Sequence, residues 1–166
     1  MITLRCISLI EPYASLVVGG VKTIETRTGP VLSRTRGPLL IAVSKKPEVA
    51  LDRWAPSKPP PPPAGWPGEI RGHVIGVVNV TGIWKPISDS HWSQDGETPD
   101  IDEMDELRRR ACFGEVGGRW LAFLDRADWL TAPVPVRGYP GTYPVTLDAE
   151  LLPAWARQAA TIKEEG

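Results

Sequence analysis

A long apolar segment interrupted by glycines, residues 72–84, dictates much of the fold that this chain can adopt. Valine and isoleucine dominate the segment, and β-branched residues are typical of strands. Gly76 and Gly82 lie inside it, and a glycine within a strand indicates a bend or a bulge. Shorter strand patterns surround this segment without the spacing of repeating βαβ units. The sequence therefore predicts an α+β fold, a small mixed β-barrel with short peripheral helices.

The remaining elements are predicted from hydrophobic periodicity and from glycine and proline positions. Residues 101–112 favour a helix, because acidic and arginine side chains recur there four residues apart. The predicted strands are 2–9, 22–28, 38–43, 118–124, 133–137 and 142–147, and the other predicted helices are 12–19, 45–54 and a final one beginning at Pro153.

A length of 166 residues suits one domain with one core, so we expect residues 1–166 to form a single domain. The net charge of -1 hides an uneven distribution. Residues 1–54 carry eight Lys/Arg and four Asp/Glu, whereas 85–107 carry one Lys and eight Asp/Glu. The basic half allows local binding of an anion, and residues 86–112 are interpreted as an acidic loop and helix insertion.

Residues 56–67 form a proline-rich segment with five consecutive prolines at 59–63. Proline is excluded from helix and strand interiors, so we expect an extended surface loop. Such a loop can dock a protein partner in an aromatic groove. A stiff insertion without a partner explains the same composition, and we favour it.

Several classes of function find no support in the composition. Cys6 and Cys112 are far apart and have no metal-like spacing, and the two histidines pair with no acid or cysteine motif. We therefore predict no metal site and no cofactor. No apolar run approaches the length of a membrane span, so we expect no membrane association. With no signal peptide pattern, free thiols and a cytoplasmic location are expected, although the sequence alone leaves a disulfide open.

The segment 19–27 (GGVKTIETR) is the most informative for function. A helix ends at the glycine pair and a strand follows at once. Alternation in that strand puts Glu25 and Arg27 on one face and Ile24 on the other, while Lys22 lies at the turn. These charges predict a pocket; a surface ion-pair ladder is the alternative, worth about 0–1 kcal/mol.

Several motifs follow one another in a characteristic order along the chain. They are the segments 7–9 (ISL), 12–14 (PYA), 20–27 (GVKTIETR), 36–42 (RGPLLIA), 44–47 (SKKP), 74–78 (VIGVV), 118–120 (GRW) and 133–138 (PVPVRG). In this order they resemble the motifs of the ASCH domain (activating signal cointegrator homology), a member of the PUA-like superfamily. The glycine-x-lysine-x-x-glutamate-x-arginine element with a downstream arginine-glycine pair carries most of the resemblance.

The resemblance implies a PUA-like barrel of about five or six strands with a cleft beside the first helix. It further implies that the cleft binds RNA or another nucleic acid. Some relatives are enzymes, either small amidohydrolases of acetylated cytidine or a ribonuclease. Their central lysine corresponds to Lys22.

Two departures from the family pattern bear on function. Many relatives carry Gln-Pro-Trp where this chain has Glu11, Pro12 and Tyr13. Tyr13 can still stack on a base, but Glu11 adds a negative charge that would oppose phosphate binding. The amidohydrolases use a threonine three residues after the lysine, and that position here is Glu25.

These residues lead to one main hypothesis and one alternative. The main hypothesis is recognition of single-stranded nucleic acid or a modified nucleoside, because such sites need cations and a flat stacking group. The alternative is a small hydrolase with Lys22 and Glu25 as tentative catalytic residues, although a neighbouring Glu25 favours a charged Lys22 in a binding role. The predicted ligand-binding residues are Tyr13, Lys22, Glu25, Arg27, Arg36, Ser44 and Lys45.

Overall fold

Seven strands form one mixed sheet, and helices pack around it, in a computed structural model that describes residues 1–165. The strands are β1 (Ile2–Leu9), β2 (Ile24–Arg27), β3 (Gly37–Val43), β4 (His73–Pro86), β5 (Trp92–Gly96), β6 (Trp120–Pro135) and β7 (Thr142–Leu147). The helices are α1 (Tyr13–Val18), α2 (Met104–Ala111) and α3 (Ala154–Glu165), with a 3₁₀ turn at Ala149–Leu151.

The sheet is open, so the prediction of a closed barrel is wrong, whereas the α+β class is confirmed. The strand order is β2-β6-β4-β3-β1-β7, with β5 paired to β4. Strands β1 and β3 run parallel, and the other pairs are antiparallel. A barrel needs backbone hydrogen bonds between its two end strands, and within residues 1–165 the end strands β2 and β7 do not pair with each other.

The predicted bulges in the long central strand are confirmed. The register between β4 and β6 shifts between Val74 and Gly76 and again between Val80 and Gly82. An added residue in one strand bends the ladder locally. The glycines therefore curve β4, and this curvature is accommodated without closing the sheet.

Gly76 also allows α1 to lie directly on the sheet. A Cβ atom at this position would come within 2.3 Å of Val18 Cγ1. The residues of α1 from Ala14 to Val18 are all buried, and the helix joins the core formed by β1, β3 and β4. This close approach packs the last residue of α1 on β4, and Tyr13 at the first residue of the same helix lies with the ends of β1 and β3 at the cavity.

Three predicted elements differ from the structure. Residues 45–54 form turns and irregular backbone, because most of these side chains are exposed and provide no apolar stripe for a helix. The predicted polar loop at 86–100 contains β5, where Trp92 packs on Trp84 with ring centroids 5.8 Å apart. The two strands predicted within 118–137 are one strand, β6, whose polar middle at 125–128 continues the ladder with β4.

The proline-rich segment has an irregular backbone and packs against the rest of the protein. Pro60 lies at Gly19, where an added Cβ would come within 2.4 Å of its ring. Trp66 packs edge-on against Trp129 with ring centroids 5.5 Å apart. No helix in the described part of the chain is long and apolar enough to cross a membrane.

Candidate nucleotide-binding cavity

A cavity of about 710 Å³ lies between the two ends of the open sheet. One wall comes from β2 and the other from the end of β1 and the loop before β7. The cavity thus occupies the place where a barrel would close. Its charged and aromatic lining residues are Tyr13, Lys22, Glu25, Arg27, Lys45, Lys46, Phe113, Arg119, Arg137 and Tyr139.

Lys22 is the most deeply buried of these charged residues, with 2% of its surface exposed. Its Nζ donates a hydrogen bond to the backbone carbonyl of Ala111 and lies 5.3 Å from the centroid of the Tyr13 ring. Burial lowers the pKa of Lys22 and outweighs the opposing effect of Glu25. The sequence indicated the opposing effect of Glu25 but not how completely Lys22 is enclosed, and burial is the larger influence on this pKa.

Glu25 is 8% exposed and has one carboxylate oxygen without a partner. Its Oε1 accepts a hydrogen bond from the backbone N–H of Thr26 at 2.8 Å, whereas the buried Oε2 has no partner. Within residues 1–165, Glu25 forms no ion pair at 4.0 Å or less. The lone Oε2 can accept a hydrogen bond from a ligand.

Two arginines beside Glu25 also carry unpartnered atoms. The Nε atoms of Arg27 and Arg119 are buried and have no hydrogen-bond acceptor. Arg119 donates through Nη2 to the carbonyl of Thr26 at 3.4 Å, and its guanidinium lies 5.2 Å from the centroid of Phe113. Buried polar groups are normally paired, so donors and an acceptor left free around one cavity indicate a place for a polar ligand.

Tyr13 provides an aromatic surface at this end of the cavity. Its ring lies edge-on to Phe113, with centroids 6.3 Å apart and an interplanar angle of 87°. The predicted obstacle, Glu11, is not among the residues that line the cavity. Its carboxylate instead accepts hydrogen bonds from the hydroxyl of Ser15 at 2.6 Å and from the Ser15 backbone N–H at 3.3 Å. Burial raises the pKa of Glu11.

The other end of the cavity is an exposed, basic mouth. Ser44 and Lys45, both predicted, line it together with Lys46, Arg137 and Tyr139. The Arg137 guanidinium lies 5.4 Å from the centroid of the Tyr139 ring. Six cationic side chains line the cavity as a whole, and Glu25 is the sole carboxylate among its described lining residues. Such a lining suits an anionic ligand that also offers hydrogen bonds.

Arg36 is the one predicted site residue that lies elsewhere. Arg36 directly precedes β3, and Ser44 directly follows this strand. A strand rises about 3.3 Å per residue, so the seven residues of β3 place its two ends roughly 20 Å apart. Arg36 forms an ion pair with Asp95 at 2.9 Å. Arg36 and Ser44 therefore lie at opposite ends of β3.

Sequence reasoning missed Phe113, Arg119, Arg137 and Tyr139. Arg119 lies in the Gly118-Arg119-Trp120 motif and Arg137 in the segment 133–138, so the resemblance could have suggested both. Phe113 and Tyr139 carry no signal in sequence. They reach the cavity only because α2 and the loop before β7 fold against its two ends.

We compared the chain with the sequence models of known protein families. The sequence model of the ASCH domain matches residues 7–138, which is most of the chain. The chain belongs to the ASCH domain family. The matched region contains every element of the cavity except the turn at residues 139–141.

Two solved structures of low sequence similarity also match. They are the ASCH protein of Zymomonas mobilis, with 14% identity, and its serine-to-alanine mutant protein, with 13% identity. The matches cover 96% of this chain and 93% and 94% of those chains, respectively, with a TM-score of 0.43 in both cases.

Proposed function

We propose that this ASCH domain binds RNA or a nucleotide-like ligand, single-stranded or as a modified nucleoside, in the cavity between α1 and the ends of the sheet. The observation that carries the proposal is the unpaired trio of Glu25 Oε2, Arg27 Nε and Arg119 Nε beside the aromatic ring of Tyr13. A base offers both donors and acceptors at its edge and a flat face for stacking.

Size, charge and family agree with this function. The cavity volume of about 710 Å³ lies within the range of about 300–1,000 Å³ found for small-molecule sites. The six lining cations provide attraction for a phosphate or for the strand that carries it. Members of the ASCH family are generally thought to bind RNA.

Binding of short RNA and of a nucleoside panel tests the proposal. We expect the wild-type protein to bind at least one RNA or nucleotide, with an affinity that falls as salt rises. Lys22→Ala should weaken this binding. Arg36→Ala is the matched control, because it removes a cation that is paired with Asp95 outside the cavity. Binding that is insensitive both to salt and to Lys22→Ala would contradict the proposal.

A hydrolase is the second candidate, favoured by the environment of Lys22. Burial lowers the pKa of this amine, and a neutral amine can accept a proton or act as a nucleophile. Glu25 would orient the substrate or transfer a proton through its free Oε2. Turnover of acylated nucleosides or RNA by the wild type, lost in Lys22→Ala and Glu25→Gln, supports this candidate. Absence of turnover on both substrate classes counts against it.

A further inference from the structure

We infer that the cavity binds a nucleotide in one orientation, with the base at Glu25 and Arg119 and a phosphate at a basic mouth formed by Ser44, Lys45, Lys46 and Arg137. This inference rests on the proposed function and adds the ligand class, a phosphorylated nucleotide or an RNA strand rather than a free nucleoside. The two ends differ in burial and in partners, and among the described lining residues a carboxylate is present at the inner end alone.

The inner end suits an uncharged polar edge better than a phosphate. Glu25 is 8% exposed, and its Oε2 lacks a partner. Lys22, Arg27 and Arg119 also line this end, but the free Oε2 of Glu25 needs a hydrogen-bond donor, which a phosphate dianion lacks, and the two negative groups would repel each other. A base instead donates an N–H to Glu25 and accepts a hydrogen bond from Arg119, whose Nε is also unpartnered.

The mouth carries cations with no competing anion. Lys45, Lys46 and Arg137 form no ion pair at 4.0 Å or less in the part of the chain that the structure describes. All three side chains are exposed. They remain available for a phosphate, which binds to several cations through charge-assisted hydrogen bonds.

The backbone positions these cations before any ligand arrives. Ser44 follows β3, and its N–H donates to the carbonyl of Leu9 at the end of β1 at 2.8 Å. The Ser44 hydroxyl accepts a hydrogen bond from the Lys46 N–H at 3.2 Å. The mouth thus lies at the carboxyl ends of two parallel strands, where ligands of open sheets commonly bind.

Gly72 orients the side chain of Lys45. A Cβ atom at Gly72 would come within 2.7 Å of Lys45 Cε, so the lysine stem lies directly on this glycine. The Gly72 N–H donates to the carbonyl of Val43, and its own carbonyl accepts from the Val136 N–H at 2.9 Å. The same glycine thereby connects the Lys45 side of the mouth to the Arg137 side.

The test compares each of four nucleosides, cytidine, uridine, adenosine and guanosine, with its 5′-monophosphate by calorimetry. For a nucleoside that binds, we expect the monophosphate to bind at least about tenfold more tightly to the wild type. The Lys45→Ala/Lys46→Ala variant should weaken the monophosphate more than the nucleoside and so reduce this advantage to about twofold or less. Higher salt should weaken only the monophosphate.

A charge-matched control is Lys85→Ala/Arg157→Ala. Lys85 lies 5.8 Å from the centroid of the Trp120 ring and Arg157 lies on α3, and neither lines the cavity. This control should keep the monophosphate advantage. Equal affinity for nucleosides and monophosphates, or equal weakening of both by Lys45→Ala/Lys46→Ala, would overturn this inference while leaving the proposed function in place.

Two further outcomes also decide the matter. If Arg119→Ala removes the monophosphate advantage and Lys45→Ala/Lys46→Ala keeps it, the phosphate lies at the inner end and the orientation is wrong. If the wild type binds no nucleoside, monophosphate or short RNA, both this inference and the proposed function fail.

Discussion

Lys22 and Ala111 connect the candidate site to the helix that follows the acidic loop. The Lys22 ammonium donates to the carbonyl of Ala111, the last residue of α2, and the Thr23 N–H donates to the carbonyl of Arg110 at 2.8 Å. The last carbonyls of a helix have no partner within the helix. Residues 22 and 23 satisfy two of them, so α2 holds Lys22 at the inner end of the cavity.

Lys22→Met should weaken ligand binding without unfolding the protein. Methionine retains an unbranched apolar stem and removes a charge that burial disfavours. The Ala111 carbonyl loses its donor, which costs about 1–3 kcal/mol. Because these effects oppose each other, we expect the free energy of unfolding to change by less than about 2 kcal/mol, as measured with denaturant. Loss of cooperative unfolding would contradict this prediction.

The lowered pKa of Lys22 predicts a specific pH dependence of stability. In the unfolded chain this amine titrates at its ordinary pKa of 10.5, whereas in the folded protein it loses its proton at a lower pH. Between these two pKa values the unfolded state binds more protons, so stability rises with pH. Below both values this contribution no longer changes with pH.

The wild type should therefore gain stability relative to Lys22→Met as pH rises toward 10.5. Subtracting the variant removes the contribution of Tyr13, whose raised pKa acts in the opposite direction in alkaline solution. Lys22 lowers the pKa of Cys112, so this pKa rises further in the variant and adds to the same relative gain of the wild type. Denaturant titrations of both proteins from neutral to alkaline pH provide the measurement. Parallel curves across that range would rule out a lowered pKa for Lys22.

Glu25→Gln should lower the pKa of Lys22 further. The Glu25 carboxylate raises this pKa, and glutamine removes the charge while retaining an oxygen for the Thr26 N–H. The NMR titration midpoint of the Lys22 side chain should move to lower pH. Glu48→Gln is the control, because that carboxylate does not line the cavity. An unchanged midpoint in Glu25→Gln would show that the two charges do not interact.

The sequence predicts those residues of the candidate site that lie within one short segment. Lys22, Glu25 and Arg27 were grouped because a helix ends and a strand begins at residues 19–27, and local geometry of this kind follows from alternation and glycine. Arg119 immediately precedes β6, and it reaches Thr26 of β2 only through the pairing of β2 with β6. Pairing between distant strands is not encoded in any local pattern, so this arginine was missed.

Arg36 lies outside the cavity and the sheet stays open for related reasons. The motif at 36–42 runs the full length of a strand, and a strand carries its two ends to opposite edges of the sheet. The bulges at Gly76 and Gly82 were predicted correctly, but a bend in one strand does not fix whether the end strands meet. Closure requires that β2 and β7 pair, and here the cavity lies between these two ends of the sheet.

Tyr13→Leu should weaken nucleotide binding by about 1–3 kcal/mol, the contribution of one aromatic ring stacked on a base. Tyr13→Phe retains the ring and should bind nearly as well as the wild type. The two variants also differ in their contact with Lys22, whose Nζ lies 5.3 Å from the centroid of the ring. Titration with a fluorescent oligonucleotide measures both. Equal affinity of the leucine and phenylalanine variants would exclude stacking on this residue.

Gly76→Ala should destabilise the protein, because α1 and β4 leave no space for a methyl group. The new Cβ would lie 2.3 Å from Val18 Cγ1 and 2.7 Å from the Asp128 carbonyl oxygen, so the helix or the β6 backbone must move. Overpacking of this kind costs about 1–3 kcal/mol. Denaturant unfolding measures the change.

Gly68→Ala is the control for this substitution, since no atom lies within 4 Å of the Cβ that it would add. Its stability should be unchanged or raised by about 0.4–1 kcal/mol, because alanine restricts the unfolded chain. Val18→Ala in the Gly76→Ala background removes the closer of the two contacts and should restore part of the loss. If Gly76→Ala is as stable as Gly68→Ala, α1 does not lie against β4 at this glycine, and the position of Tyr13 at the cavity has another origin.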